Sequence, residues 1–268
     1  MNHRVLILLI FQFLFYHVLI HAQKVEPTYP GGNSELQRFF ESQMIYPESM
    51  KLEKKSGNVV LAFTVTAVGT VRDISVVSKS SDAFVPEAYR LVSLTLWESG
   101  WRNNAPADIK TTLEVKFSYK KWLKAVERRG YENPYVLTYA VDSSVNVYPA
   151  SSLHEGVEVI LDQGQNFVTW LGKNLLFPDA AKRLGLKGQV VIRFVVEPTG
   201  VTSHYFIDEP LAGGCNEETI RLIKLMGWKP GKINGKAVRS FYVMRIGFGG
   251  ASSDYRYFPA NQGGGSMN

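Results

Sequence analysis

The chain alternates between two hydrophobic periods, and each change of period marks a predicted element. Ahead of Pro47, apolar side chains recur at the spacing of one helix face, which predicts an amphipathic helix; they are Leu36, Phe39, Phe40 and Met44. From Val59 to Val65 every second residue is strongly apolar, which predicts a half-buried strand. Gly69 marks the turn into a second strand, Val71–Ser78, because glycine adopts positive φ without steric cost.

The pattern then returns to a helix and ends in a third strand. Pro86 suits the first turn of a helix that continues to about Leu96. Alternating apolar residues resume in Thr111–Tyr119, which we predict as the last strand of the unit. The order helix, strand, strand, helix, strand indicates the α+β class, with a three-stranded antiparallel sheet and the helices on one face.

The same order occurs again 131 positions further along the chain, without a gap. Pro47 returns as Pro178 and Trp97 as Trp228, and most other shared positions are glycines or aromatic residues. An internal repeat of this kind predicts two tandem copies of one small α-β-β-α-β domain. The predicted elements of the second copy are, in order, Gln165–Leu176, Val190–Val196, Val201–Ile207, Glu217–Met226 and Ser240–Phe248.

These elements divide the chain into five predicted segments, residues 1–22, 23–125, 126–155, 156–250 and 251–268. The second and fourth segments are the repeats, the third is a linker in which Tyr135–Val141 could form an extra strand, and the glycine-rich fifth is a flexible tail. The first combines Arg4, an apolar run and Ala22, which is the plan of a cleavable signal peptide. Cleavage predicts an exported protein, and the absence of a disulfide favours a bacterial envelope over a eukaryotic secretory route, whereas an uncleaved leader would anchor the chain in a membrane.

Charge and chemistry-bearing residues argue against several classes of function. The net charge is +6, but lysines and arginines are not grouped with aromatics, so a nucleic-acid partner is not expected. A single cysteine, Cys215, excludes an intramolecular disulfide and a cysteine-based zinc site. The histidines outside the leader, His154 and His204, accompany no nucleophile or metal-ligand motif. The sequence therefore predicts a non-enzymatic binding protein without a cofactor or a metal.

Two motifs of the second repeat resemble the TonB C-terminal domain family. The first is Phe177–Pro178, followed by glycines, valines and a phenylalanine at fixed spacing up to Gly200. The second is the string Trp228–Gly231 followed by asparagine and glycine. The first repeat keeps the glycine and aromatic framework but has Asn103–Asn104 where the second has Asn-Gly, so it is the looser copy.

This resemblance implies peptide recognition rather than catalysis. In the family, the free edge of the third strand pairs with an extended segment of an outer-membrane receptor, which here implicates Thr111–Tyr119 and Ser240–Phe248. The segments ahead of the two prolines, Gln43–Pro47 and Asn174–Pro178, also meet receptors in the family. The implied peptide-binding residues are Arg239, Phe241, Val243 and Arg245 on the last strand, with Gln43, Tyr46, Asn174 and Phe177 ahead of the prolines.

Two alternatives remain open on the sequence. The edge strands could instead pair with the linker, the other repeat or a second copy, which would make the chain a structural envelope protein. A retained leader would make it an anchored energy-transducer subunit, but fewer than ten residues separate Ala22 from Pro30. Even as polyproline II, such a spacer reaches only about 25 Å. Partners are expected among outer-membrane receptor or other envelope segments, with self-association possible and membrane contact only through a retained leader.

Overall fold

The computed structural model describes residues 25–161 and 165–250. The predicted signal peptide or anchor, residues 1–22, and the predicted flexible tail, residues 251–268, lie outside the described residues. None of the helices in the described part of the chain has the length and apolar character of a membrane span. The structure therefore bears on the two repeats and on the linker between them.

The first repeat folds into a sheet of three long strands with helices packed on one face. Its helices are α1 (Asn33–Gln43), α2 (Glu48–Leu52), α3 (Val85–Ser93) and α4 (Tyr119–Arg129). Its strands are β1 (Gly57–Val65), β2 (Val71–Lys79), β3 (Gly100–Arg102), β4 (Ala105–Ala107) and β5 (Ile109–Phe117). The long strands lie in the antiparallel order β2-β1-β5, so β5 forms one margin of the sheet.

The second repeat has the same architecture, which confirms the predicted α+β class and the two tandem units. Its helices are α5 (Phe167–Asn174), α6 (Asp179–Arg183) and α7 (Cys215–Leu225). Its strands are β6 (Glu158–Ile160), β7 (Gly188–Val196), β8 (Thr202–Glu209), β9 (Gly227–Lys229), β10 (Lys232–Ile233), β11 (Lys236–Ala237) and β12 (Ser240–Phe248). The long strands lie in the antiparallel order β8-β7-β12.

Alternate residues of the central strands build the two hydrophobic cores. In β1 and β7 these residues are almost completely buried against the helices; they are Val59, Leu61, Phe63, Val65, Val190, Ile192, Phe194 and Val196. Burying one such side chain contributes about 1.5–3 kcal/mol. The strand period seen in the sequence therefore decides which face of each sheet receives the helices.

A glycine and a tryptophan meet at the same place in each repeat. Gly69 follows β1 with a φ of +83°, and a Cβ on it would lie 2.1 Å from the carbonyl oxygen of Trp97. Gly200 follows β7 with a φ of +79°, and its Cβ would lie 2.5 Å from the carbonyl oxygen of Trp228. Only glycine combines the left-handed backbone with this close approach. The shared glycines and tryptophans thus hold each hairpin turn against the segment that follows α3 or α7.

Two helices begin after a glycine and without a side chain that caps them. The residue that precedes α1 is Gly32, and Ser34 lies inside the helix. Asn216 lies inside α7, where its Oδ1 accepts a hydrogen bond from Leu211 N, and Gly214 precedes that helix. Both helices begin after a glycine with positive φ, a conformation that hydrophobic periodicity does not report.

The linker region also differs from the prediction. α4 continues past residue 125 to Arg129, so helix occupies the start of the predicted linker. The extra strand considered for Tyr135–Val141 is reduced to a single bridge between Val141 and Ala237. The linker therefore packs along the second repeat through isolated contacts and not through a long strand of its own.

The start of the first repeat covers one margin of the second sheet. Tyr205 in β8 donates its backbone N–H to the carbonyl oxygen of Pro30 over 3.3 Å. Glu35 of α1 forms an ion pair with Lys224 of α7, with 2.7 Å between Oε1 and Nζ. The β8 margin is thus engaged by the first repeat, which leaves β12 as the other margin of that sheet.

Candidate functional site

The last strand of each repeat lies at a margin of its sheet. β12 has the predicted bounds, whereas β5 begins and ends two residues earlier than predicted. Asn58 of β1 accepts a backbone hydrogen bond from Ser80, so the backbone groups of Asn58 point toward β2. Lys116 is the residue of β5 that lies opposite Asn58, so the backbone groups of Lys116 point away from the sheet. By this alternation the outward-facing residues of β5 are Lys110, Thr112, Glu114 and Lys116. Among the described residues, no strand pairs with that side of β5.

The linker covers the first part of the β12 edge. Tyr148 donates its N–H to the carbonyl oxygen of Arg239 and accepts the N–H of Phe241, each over 2.9 Å. Ala237, just before β12, makes two further backbone hydrogen bonds with the linker, of 2.8 and 2.9 Å. Past Phe241, the described part of the chain supplies no second strand to this edge. The part of this edge that the described residues leave uncovered therefore starts near Val243.

Three of the predicted peptide-binding residues share the sheet face opposite the core. Phe241, Val243 and Arg245 are half-buried there and alternate with buried core residues. On β7, the guanidinium carbon of Arg193 lies 4.6 Å from the ring centre of Phe206 and 5.3 Å from that of Phe241. The open part of β12 is thus flanked by a surface of one cation and two aromatic rings.

Arg239 does not belong to that surface, because its side chain is only 3% exposed. Its guanidinium pairs with both oxygens of Glu197, over 2.9 and 3.1 Å. It also donates to the carbonyl oxygens of Val145 in the linker, over 3.0 Å, and of Leu94 in the first repeat, over 2.9 Å. The expected peptide contact of Arg239 is thus corrected to a contact between the two repeats and the linker.

The segment ahead of Pro47 is held by a carboxylate–arginine pair. Ile45 donates its N–H to Oε1 of Glu87 over 2.7 Å. Arg90, which pairs with Glu87 over 2.7 Å, donates to the carbonyl oxygen of Gln43 over 2.5 Å. Burial opposes the charge of Arg90, but the hydrogen bonds and charge of Glu87 outweigh it and raise the pKa of Arg90. Glu87 and Arg90 together fix the backbone on both sides of Met44.

The second repeat contains the same arrangement. Leu176 donates its N–H to Oε1 of Glu218 over 2.7 Å, and Arg221 donates to the carbonyl oxygen of Asn174 over 2.6 Å. Nε of Arg221 lies 2.7 Å from Oε2 of Glu218, and that hydrogen bond raises the pKa of Arg221. The segments ahead of both prolines are thus positioned by buried carboxylates.

Hydrophobic periodicity did not identify Glu87 and Arg90. The signal that could have found them is the repeat itself, because 131 positions separate Glu87 from Glu218 and Arg90 from Arg221. Polar residues that recur at one offset, three positions apart on a helix, indicate an ion pair that both copies need.

The four peptide-binding residues predicted ahead of the prolines differ in their exposure to solvent. Gln43 and Tyr46 are each 3% exposed, and Tyr46 packs in the aromatic core of the first repeat. Asn174 and Phe177 are half-buried. The ring of Phe177 lies 6.0 Å from that of Phe248, at the end of β12. The structure therefore brings Phe177 to the edge strand but keeps Gln43 and Tyr46 inside the fold.

A buried polar cluster lies where the repeats meet. His204 is completely buried, and its Nδ1 lies 2.7 Å from Oγ of Ser203, which donates to Glu197 over 2.7 Å. Burial first, and then the charge of Arg239, lower the pKa of His204 well below its usual value. The described residues contain no group of three histidine, cysteine or acidic side chains placed to hold a metal ion. The cluster is enclosed in the interface, so its role in this arrangement is structural.

Two segments of the chain, residues 42–119 and 173–249, match the family model of the Gram-negative bacterial TonB protein C-terminal. Together they cover more than half of the chain. The chain belongs to this family. Each TonB C-terminal match runs from the segment ahead of the proline to the end of the last strand. No curated protein matches the chain.

Membership in the TonB C-terminal family indicates the general function of the chain. These domains are interaction domains of the bacterial envelope that serve energy transduction and contact outer-membrane receptors. The chain is accordingly a TonB-like envelope protein with two copies of the domain, linked to TonB-dependent transport.

Proposed function

We propose that this chain is a non-enzymatic periplasmic protein that binds extended segments of outer-membrane receptors or other envelope proteins by strand addition. A peptide that joins a sheet edge gains main-chain hydrogen bonds, and its alternate side chains supply selectivity. The observation that carries the proposal is the edge of β5, where four residues direct their backbone groups outward and no strand of the described residues covers them.

The second repeat offers a shorter edge for the same interaction. Because the linker pairs with β12 as far as Phe241, a peptide would join from Val243 onward. The side chains of Phe241, Val243 and Arg245 would contact the peptide on the face opposite the core. Phe177 would contact it near the end of β12, where that ring packs beside Phe248.

The other implied residues would support this site without touching the peptide. Arg239 holds the linker and the first repeat in place through buried hydrogen bonds. Gln43 and Asn174 offer their carbonyl oxygens to the two arginines of the carboxylate–arginine pairs. Tyr46 fills the core beneath its turn. We therefore propose positioning roles for these four residues.

The proposal is tested by photo-crosslinking in cells. A photo-reactive amino acid replaces Lys110 on the β5 edge or, in a second strain, Val243 on β12. We expect both positions to capture segments of outer-membrane receptors. Thr112→Pro, which removes an outward N–H, should abolish capture at residue 110, whereas Thr112→Ala retains that N–H and should leave capture unchanged.

Two other results would contradict peptide binding. Capture only of the chain's own linker, or of a second copy, would show that the edges serve assembly, as in the structural alternative. Capture that is insensitive to Thr112→Pro would show that contact at the β5 edge does not involve strand addition.

We further propose that residues 1–22 are removed on export. The plan of Arg4, an apolar run and Ala22 supports cleavage before Gln23. Mass spectrometry of the protein from a periplasmic extract should find a chain that begins at Gln23. An intact chain that starts at Met1 and purifies with inner-membrane motor proteins would favour the anchored-transducer alternative.

A further inference from the structure

A groove of about 470 Å³ runs beside the β5 edge, between α1 and α4. We call it the α1–α4 groove. Its floor is apolar and consists of Leu36, Phe40, Met44, Leu113 and Trp122. A strand added to β5 would lie about 4.8 Å from it and would direct alternate side chains toward the helix layer, where this floor is. The groove is therefore placed to receive side chains of a peptide bound by strand addition.

Trp122, which lines the groove, carries an unsatisfied hydrogen-bond donor. The residue is 4% exposed, and its indole Nε1 has no hydrogen-bond partner among the described residues. Other indoles of the chain do have one, since Nε1 of Trp97 donates to Thr95 over 2.8 Å and that of Trp228 donates to Ile223 over 2.9 Å. A buried N–H without an acceptor is unfavourable, because it has lost its hydrogen bonds to water. An oxygen atom supplied by a ligand in the groove would remove that cost.

The rim of the groove leaves one positive charge without an ion pair. Glu41 pairs with Arg128 over 3.2 Å, and Glu114 pairs with Lys116 over 3.2 Å. No ion pair forms at Lys121 within the described residues, although it also lines the groove. The rim therefore favours an occupant with a negative charge.

The groove is built largely outside the segment that carries the family resemblance. The match of the first repeat begins at residue 42 and ends at residue 119. Leu36 and Phe40 come from α1 before that segment, and Lys121 and Trp122 come from α4 after it. Of the five floor residues, Leu36, Phe40 and Trp122 lie outside the matched segment, whereas Met44 and Leu113 lie inside it.

We propose that the α1–α4 groove is a specificity pocket for the peptide that joins β5. The peptide places a large apolar side chain on the floor of the groove. One of its oxygen atoms accepts the N–H of Trp122, and an acidic side chain on the same face of the peptide lies near Lys121. This inference rests on the proposed strand addition and names the class of peptide that the first repeat selects.

The probe is a synthetic peptide of nine residues, the length of β5. It alternates threonine and valine, with leucine at the centre and aspartate two positions later, on the same face of the strand. One matched peptide carries serine in place of the leucine, and another carries asparagine in place of the aspartate. Affinity is measured by calorimetry on the mature chain, and the indole N–H resonances are followed by NMR.

We expect the probe to move the Trp122 indole resonance downfield and to leave that of Trp228 in place. The serine peptide should bind about tenfold more weakly or worse, because its small polar side chain leaves the floor exposed. Trp122→Phe keeps the ring but removes the donor and should weaken the probe about fivefold. Lys121→Gln should weaken the probe about twofold but should not affect the asparagine peptide.

The outcomes separate failure of this inference from failure of strand addition. If Thr112→Pro abolishes binding but the serine peptide and Trp122→Phe bind as well as their parents, strand addition stands and the specificity pocket is overturned. If the probe binds neither the parent chain nor Thr112→Ala, strand addition at β5 itself fails. If the Trp122 resonance moves with protein concentration alone, a second copy occupies the groove and the proposal is wrong.

Discussion

At the scale of single residues, the carboxylate–arginine pairs explain how each repeat changes direction ahead of its proline. α1 and α5 end just before Ile45 and Leu176, so the N–H groups of these residues have no helical acceptor. A buried N–H needs a partner, and Glu87 of α3 or Glu218 of α7 supplies it. The arginine of each pair then binds the last helical region through a carbonyl oxygen.

Removing the carboxylate should destabilise either repeat. Glu87→Ala and Glu218→Ala leave one N–H and one arginine unpaired, which should cost about 2–4 kcal/mol. The cost should be larger for Glu87, because its partner Arg90 has 23% of its side chain exposed, against 40% for Arg221. Glu87→Gln and Glu218→Gln keep the acceptor and should cost less. Urea denaturation measures the free energies of unfolding, and equal losses for alanine and glutamine would contradict this account.

His204 shows a different residue-scale effect, the exclusion of a proton. Its ring lies 5.0 Å from that of Tyr29 and 4.6 Å from that of Phe39, both in the first repeat. Arg239 and Glu197 are the charged groups beside it. Because burial is complete, the folded protein holds this imidazole neutral at pH values where the unfolded chain would protonate it.

The stability of the protein should therefore fall when the pH drops below about 6.5, the ordinary pKa of histidine. The folded pKa of His204 is lower, so in that window the unfolded state binds a proton that the folded state excludes. The free energy of unfolding should fall by up to about 1.4 kcal/mol per pH unit. Asparagine tolerates the φ of +53° at this position, so His204→Asn should lose this dependence, whereas His154→Asn should keep it. Parallel pH curves for the parent and His204→Asn would refute the prediction.

At the scale of elements, the two short hairpins β3–β4 and β10–β11 turn in the same way. Asn103 and Asn104 have φ values of 54° and 61°, and Asn234 and Gly235 have values of 50° and 75°. Positive φ at both central residues is the requirement of a type I′ turn. Asparagine tolerates that conformation better than other side chains. The first repeat therefore departs from the Asn-Gly sequence of the family while keeping its turn.

A glycine should improve the turn of the first repeat. Asn104→Gly removes the residual strain of positive φ and should stabilise the first repeat by about 0.5 kcal/mol. Gly235→Asn, the reciprocal change, should destabilise the second repeat by a similar amount, because asparagine is less favourable than glycine at positive φ. No steric cost is added, since no atom lies within 4 Å of a Cβ at that position. Thermal melts followed by circular dichroism measure both effects. A loss of stability in Asn104→Gly would show that its side chain makes a stabilising contact.

The elements themselves could be predicted because their signals are local. β12 has the predicted bounds, Ser240–Phe248, since alternation and strand length coincide there. The sequence could not predict the pairing of Tyr148 with β12. This pairing consists of two hydrogen bonds from one residue of a loop, and a single residue produces no hydrophobic periodicity. α4 was not predicted either, because only two of its residues, Trp122 and Ala125, are buried and the helix begins almost directly after the last strand.

At the scale of the whole molecule, the repeats share their cores but differ where they touch. Arg239 and Glu197 of the second repeat correspond, 131 positions earlier, to Asp108 and Thr66. An internal repeat reveals residues that both copies share. It cannot reveal a residue that only one copy contributes to the interface between them. For this reason the sequence placed Arg239 on a peptide-binding edge, whereas the structure places it between the domains.

Loss of Arg239 should uncouple the two repeats. Arg239→Met retains an apolar stem but removes four hydrogen bonds and leaves Glu197 as a buried charge, which should cost about 3–5 kcal/mol. Because the contact with Leu94 is lost, we expect one calorimetric unfolding transition in the parent and two in the variant. Arg38→Met, at an exposed arginine of α1, is the control and should keep one transition. Adding Glu197→Leu to Arg239→Met should recover part of the loss, since no unpaired charge remains. One unchanged transition in Arg239→Met would show that the other contacts suffice to join the repeats.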